Sequence, residues 1–152
     1  MTDRFRLYPY VPSYLAELAD MWVDAWSRAM PEINFEARRG WFVDHLVSLN
    51  EGGVEVLCAL DSANGTIAGV ISIDREQGYI DQLAVLPAYW GEGVSKRLLE
   101  AAKKRAPGRL TLNVNQDNAR AVGFYVREGF SRIGAGANPN SSLKTWRYEW
   151  RA

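Results

Sequence analysis

The sequence predicts one mixed α/β (α+β) domain, and three observations carry the prediction. Two segments, Tyr79 to Leu99 and Leu110 to Phe130, each read as an apolar strand, a turn and a helix. Two apolar runs, Val54 to Asp61 and Ile67 to Asp74, flank Asn64-Gly65, a hairpin signal even though the loop is longer than two residues. Between Leu15 and Met30, apolar side chains recur at helical spacing.

Taken in order, Phe5 to Tyr8 reads as a first strand, ended by Pro9 and Pro12 before a helix that opens near Ser13. Leu15, Leu18, Ala19, Trp22, Trp26 and Met30 form its apolar stripe, and Pro31 closes it. Asn34 caps a second helix that runs to about Leu49, with Gly40 costing about 1 kcal/mol relative to alanine and marking a possible break. Glu51-Gly52-Gly53 is a loop before the hairpin strands, and Tyr79 to Val85 is the fourth strand. The two turn-helix units follow, with Leu110 to Asn115 as the strand between them. Strands near Ser131 to Gly134 and Lys144 to Arg151 finish the chain. The order is β-α-α-β-β-β-α-β-α-β-β.

With 152 residues, 47% of them hydrophobic and 24% charged, the chain is long enough to bury a real core, and no segment reads as a linker. Residues 1–152 are therefore expected to form a single domain. Eighteen basic and eighteen acidic residues cancel, without a basic run or stripe, so no nucleic-acid partner is expected. The N-terminal segment M-T-D-R-F-R-L-Y-P-Y-V has no apolar leader core and no apolar run reaches 18 residues, so no membrane partner and a cytoplasmic setting are expected. Cys58, the only cysteine, sits in the apolar run V-E-V-L-C-A-L and reads as a small core hydrophobe. Intrachain disulfides and cysteine-based metal sites are excluded, and no metal is expected.

Chemistry concentrates in the strand-turn-helix units. Gly91 and Gly93 let the chain turn tightly and approach a ligand, while the free N–H groups of the following helix and its dipole favour a phosphate. A dinucleotide fingerprint would need a third glycine where Lys96 stands, and a Walker A loop occurs nowhere in the chain. Downstream, N-A-R-A-V-G-F-Y-V-R-E-G-F ends in an aromatic pair with a phenol at Tyr125.

With these two motifs the chain resembles the GCN5-related N-acetyltransferase (GNAT) superfamily, whose members bind acetyl-coenzyme A through a loop of the form [Q/R]-x-x-G-x-[G/A] and a later N-x-x-A-x-x-[F/Y]-Y-x-x-x-G-F segment. Asn118, Ala121, Phe124, Tyr125, Gly129 and Phe130 match the second pattern, and Leu83-Ala84-Val85 followed by Pro87 matches the strand before the first. Two positions depart from the loop pattern: Trp90 replaces Gln or Arg, and Ser95 replaces Gly or Ala. The resemblance covers nearly the whole chain.

What the resemblance implies is specific. The fold would be a mixed, mostly antiparallel sheet with flanking helices, and its fourth and fifth strands would splay apart so that pantetheine lies between them like a substitute strand. Leu83, Ala84 and Val85 would face that arm, with an amide near Val85 stabilising the oxyanion of a tetrahedral intermediate. Trp90, Gly91, Glu92, Gly93, Val94, Ser95 and Lys96 would form the pyrophosphate loop. Asn118 would bond the pantetheine arm, besides serving as an ordinary helix N-cap. Tyr125 would protonate the departing thiolate, where the alternative is a packing tyrosine.

The base is less directly marked. Some members carry a glutamate at the position of Asn113, and an amide cannot take a proton. Strand alternation puts Tyr79, Asp81 and Leu83 on one face, and other members carry an acidic base on this strand facing the acceptor, so the resemblance makes Asp81 the candidate to receive or deprotonate the acceptor's ammonium, with anchoring of a neighbouring loop as the alternative. His45, beside Trp41 and Phe42, reads as a half-buried or solvated histidine and not as a base. The resemblance implies that the first two helices wall the acceptor pocket, here with the aromatic Trp22, Trp26, Trp41 and Phe42 and with Met30 between, most of it core. The implied activity is acetyl transfer to a primary amine of a small molecule, amino acid derivative or peptide N-terminus, by a monomer or homodimer. The alternative is a non-catalytic acyl-coenzyme A sensor of the same fold.

Overall fold

The computed structural model describes residues 4–139 and 141–152; the first three residues of the segment read for a leader, and Asn140, lie outside them. Seven strands form one sheet: β1 (Phe5–Pro9), β2 (Glu55–Asp61), β3 (Ile67–Asp74), β4 (Tyr79–Val85), β5 (Arg109–Asn115), β6 (Ser131–Ala137) and β7 (Lys144–Arg151). Their spatial order is β1-β2-β3-β4-β5-β7-β6. All neighbours are antiparallel except β4 and β5.

That parallel pair is the feature that positions the site. Only Tyr79↔Thr111 and Ile80↔Leu112 are in register; beyond Ile80 the two strands pair no further. On its other side β4 stays paired to β3 through Leu83, Ala84 and Val85. The splay has a local cause in β4. Ile71 faces Leu83 whereas Ile73 faces Ile80, so Asp81 and Gln82 together oppose Ser72. This is a β-bulge, which bends a strand and re-aims its side chains. Ser72, fully buried, accepts the Gln82 amide at 2.8 Å and so satisfies a donor that the ladder has lost.

Four helices cover the two faces: α1 (Leu15–Ala29), α2 (Arg39–Glu51), α3 (Val94–Arg105) and α4 (Ala119–Arg127). Leu18, Met21 and Trp22 of α1 with Phe42 and Leu46 of α2 pack on Val56, Cys58, Val70 and Ala84. On the opposite face Val94, Leu98 and Leu99 of α3 and Tyr125 of α4 pack on Ala59, Ile71, Ile80 and Val85. Gly69 of β3 makes the second contact possible, since a Cβ there would lie 2.8 Å from Val94 Cγ1 and 3.1 Å from the Ala84 carbonyl oxygen.

Several boundaries differ from the sequence reading, for stated reasons. Asn34 does not cap α2; its Oδ1 accepts the Ala37 amide at 3.2 Å inside a 3-10 turn over Glu36–Arg38 whose N-cap is Phe35, after which α2 begins at Arg39. Gly40 consequently lies in the first turn of α2 and breaks nothing. A 3-10 turn over Pro12–Tyr14 precedes α1, and β6 extends to Ala137 because its pairing with β7 continues past Gly134.

Candidate functional site

A cavity of about 960 Å³ opens between the splayed strands. One end is the turn into α3. Gly91 has φ +83° and Gly93, the N-cap of α3, has φ +87°, a region that side chains rarely adopt. The amides of Gly91 and Gly93 donate to no main-chain carbonyl among the described residues. Those of Val94, Ser95 and Lys96 belong to the first helical turn, whose donors have no intrahelical acceptor. An anion is what such a cluster of free donors favours.

The remaining residues of this loop divide by side chain. Trp90 donates its indole N–H to the Val85 carbonyl at 2.9 Å, which ties the loop to the end of β4. Glu92 does not line the cavity: its amide donates to the Tyr89 carbonyl and its carboxylate pairs with Arg4. Beneath it, Tyr89 donates its hydroxyl to Asp61 at 2.8 Å, and that carboxylate, held below its ordinary range by the Ala63 amide and then by Tyr89, anchors the turn to the end of β2. Lys96 lines the cavity, as do Arg120 and Arg127 of α4. Arg120 stacks on Trp90 with its guanidinium carbon 4.1 Å from the ring centroid, so α4 sets a cation beside a loop whose own position 90 is apolar. Sequence reasoning missed Arg120, although it stands two residues after Asn118 within the same motif.

Asn118 caps α4, accepting the Ala121 amide at 3.2 Å, and its largely buried side chain also borders the cavity. Tyr125 borders it too, from among the rings of Phe124 and Phe130. Burial pushes its phenol well above the ordinary value, so at neutral pH the hydroxyl keeps its proton. It has no hydrogen-bond partner among the described residues.

Across the cavity stand α1 and α2. Trp22 stacks on Phe42 at 4.7 Å, Trp26 on Phe35 at 5.7 Å, and Trp41 on His45 at 4.6 Å. The buried Trp22 indole N–H has no partner among the described residues. His45 Nε2 lies 2.6 Å from Asp81 Oδ1, and Gln82 donates its amide to the same oxygen at 2.9 Å. Both partners are about one quarter exposed and line the cavity. Asn113 bonds the Tyr79 hydroxyl at 3.1 Å.

One alternation argument fails here. Asp81 faces α2, whereas Leu83 packs with the α3 face, because the bulge inserts one residue between them and reverses the phase of the strand. Tyr79 feels the Asp81 charge and stays on its side. The partnership of His45 with Asp81 also escaped the sequence, although the i, i+4 spacing of Trp41 and His45 was a readable stacking signal.

Fold and site together bring an open strand edge, an amide cluster at a helix entrance and a capped helix carrying a phenol to one cleft. The profile of the Acetyltransferase (GNAT) family matches residues 11–130, and the chain belongs to that family. It is 46% identical over 56 residues to peptidyl-lysine N-acetyltransferase YjaB of Salmonella typhimurium, covering 37% of this chain and 38% of that protein. To N-alpha-acetyltransferase 30 of Schizosaccharomyces pombe it is 33% identical over 81 residues, covering 51% of this chain and 49% of that protein. The chain thus spans half or less of the length of these two relatives. Among solved structures it is similar to the PaiA N-acetyltransferase of Thermoplasma acidophilum in complex with coenzyme A, with a TM-score of 0.71, 19% identity and 100% coverage of both chains. The GNAT fold expected from the motifs, including the divergence of the fourth and fifth strands, is the fold observed. Among the described residues no helix is long and apolar enough to cross a membrane, and no cluster of three or more His, Cys, Asp or Glu is arranged to hold a metal.

Proposed function

We propose that this protein is an acetyl-coenzyme A-dependent N-acetyltransferase acting on a primary amine. The observation that carries the reading is the single cavity that joins the unpaired edge of β4, the free amides around Gly91 and Gly93, and the Tyr125 side chain. The ligand is extended, amide-bearing and anionic at one end, and the residues present suit it. The edge at Leu83, Ala84 and Val85 offers main-chain groups to pantetheine, Asn118 offers its side chain, and the loop amides with Lys96 and Arg120 take the diphosphate. A relative's structure holding coenzyme A supports the same choice.

In the reaction the acceptor nitrogen bonds to the acetyl carbon and the carbon–sulfur bond breaks. Tyr125 gives its proton to the departing thiolate and recovers one from solvent, and the acceptor's proton leaves toward Asp81. The relatives' names denote lysine side chains and chain N-termini as acceptors. The aromatic wall of Trp22, Trp26 and Trp41 suits such an amine on an apolar stem, and small amines enter the same test. Thiol release from acetyl-coenzyme A should be measured across lysine peptides, free N-terminal peptides and small amines. Amine-dependent release is expected. Binding of acetyl-coenzyme A without release for any amine would instead leave a non-catalytic acyl-coenzyme A sensor, and the absence of binding would remove both readings.

A further inference from the structure

We propose that the acceptor's proton is taken by His45 Nδ1, with Asp81 a positioning residue that acts through the imidazole. The inference rests on the acetyltransferase reading and replaces the carboxylate by the ring as the group that meets the amine. Its basis is the 2.6 Å contact of His45 Nε2 with Asp81 Oδ1 on the cavity wall.

A carboxylate accepts and cannot donate when ionised, so in the neutral imidazole the proton shared with Asp81 sits on Nε2. Nδ1 is then the basic nitrogen, and it has no hydrogen-bond partner among the described residues. Asp81 Oδ1 is engaged twice, by His45 and by the Gln82 side-chain amide, which fixes the carboxylate against the ring. Two contacts hold the ring in place, Asp81 at one edge and the Trp41 face at 4.6 Å, and the bulge turns Asp81 toward α2. A base held by a carboxylate, on a residue that lines the cavity, has the logic of the hydrolase triad without its nucleophile. Atoms balance simply: one proton moves from the acceptor nitrogen to Nδ1 as the N–C bond forms, the resulting imidazolium is stabilised by Asp81, and solvent later removes the proton.

Other groups stand near the pair. Tyr79 of β4 carries a phenol that feels the Asp81 charge, and Arg147 of β7 acts on that phenol. Asn113 of β5 holds the same hydroxyl and is uncharged.

The test compares the parent with His45→Gln, His45→Ala, Asp81→Asn and the His45→Gln/Asp81→Asn double variant, in steady-state acetyl transfer from pH 5.5 to 9. Melting temperature and its rise with acetyl-coenzyme A show that each variant is folded and competent to bind. His45→Gln should lower kcat about 10²-fold or more with the KM for acetyl-coenzyme A unchanged. The parent's kcat should rise with pH across this range and His45→Gln should not show that rise, and added imidazole should restore part of the rate of His45→Ala. Asp81→Asn should keep a residual pH limb, and the double variant should be no slower than His45→Gln alone. Parental kcat and pH limb in His45→Gln overturn the inference, as does a loss confined to Asp81→Asn, which returns the proton to the carboxylate. A parent that binds acetyl-coenzyme A but transfers to no amine fails the acetyltransferase reading, and the base falls with it.

Discussion

At the scale of single residues, Tyr125 shows how burial prepares a group for one role. In water a phenol is already mostly protonated at neutral pH; among Phe124 and Phe130 its ionised form is disfavoured further. In the proposed reaction the hydroxyl would therefore carry its proton when the thiolate departs. Tyr125→Phe deletes one oxygen and keeps the ring. We expect kcat to fall about 10²-fold with little change in the affinity for acetyl-coenzyme A, since only a proton delivered in the reaction is lost. Asn118→Ala should do the reverse, weakening the cosubstrate while costing about 1 kcal/mol of α4 stability through the lost cap. Steady-state kinetics beside isothermal titration separate the two, and an unchanged kcat in Tyr125→Phe would make the phenol a packing group.

Among elements, the seat of α3 on β3 fixes where the free amides point. Gly69→Ala would bring a methyl against Val94, Leu98 and the Ala84 carbonyl, so the helix must shift; overpacking of this kind costs about 1–3 kcal/mol. In a chain of this length each kcal/mol lowers the melting temperature by roughly 2–4 °C. Gly93→Val acts differently. A Cβ at Gly93 meets no neighbouring atom within 4 Å, but φ +87° is closed to a β-branched residue, so the loop amides themselves must move. A ligand at about 100 times its Kd stabilises the parent by about 2.7 kcal/mol, and in Gly93→Val most of this rise should disappear while Gly69→Ala keeps part of it. Equal ligand-induced shifts in all three proteins would remove the loop from the binding site. What the sequence made legible at this scale was local. The helix entrance at Gly93, the Asn118 cap and the hairpin at Asn64-Gly65 are each encoded by residues a few positions apart. The bulge at Asp81-Gln82 was not, because it is decided by the register of β4 against β3, and strict alternation put Leu83 on the wrong face. Nor could periodicity join His45 to Asp81, which meet from 36 residues apart only once α2 lies across the sheet.

Across the whole molecule, the two cores on either side of the sheet differ in what they bury. The α3 side encloses Tyr125, and the α1/α2 side encloses Cys58, fully buried under α1 and α2 with Glu17 as a nearby charge. Burial pushes the Cys58 thiol up to about 12. In the unfolded chain a thiol titrates near about 8.5, so above that pH the unfolded state gives up a proton that the native state retains. The native state then binds more protons, and stability falls as pH rises from roughly 8.5 toward the native value; the loss by pH 10 is about 2 kcal/mol. Tyr125 adds to the decline above about pH 10, the ordinary phenol value, in the same direction. Urea unfolding at pH 7.5 and pH 10 should show this loss in the parent, and Cys58→Ala, although less stable at both pH values through its small cavity, should lose markedly less between them. A parallel decline in parent and variant would assign the alkaline loss to other groups and leave the buried thiol without a part in it.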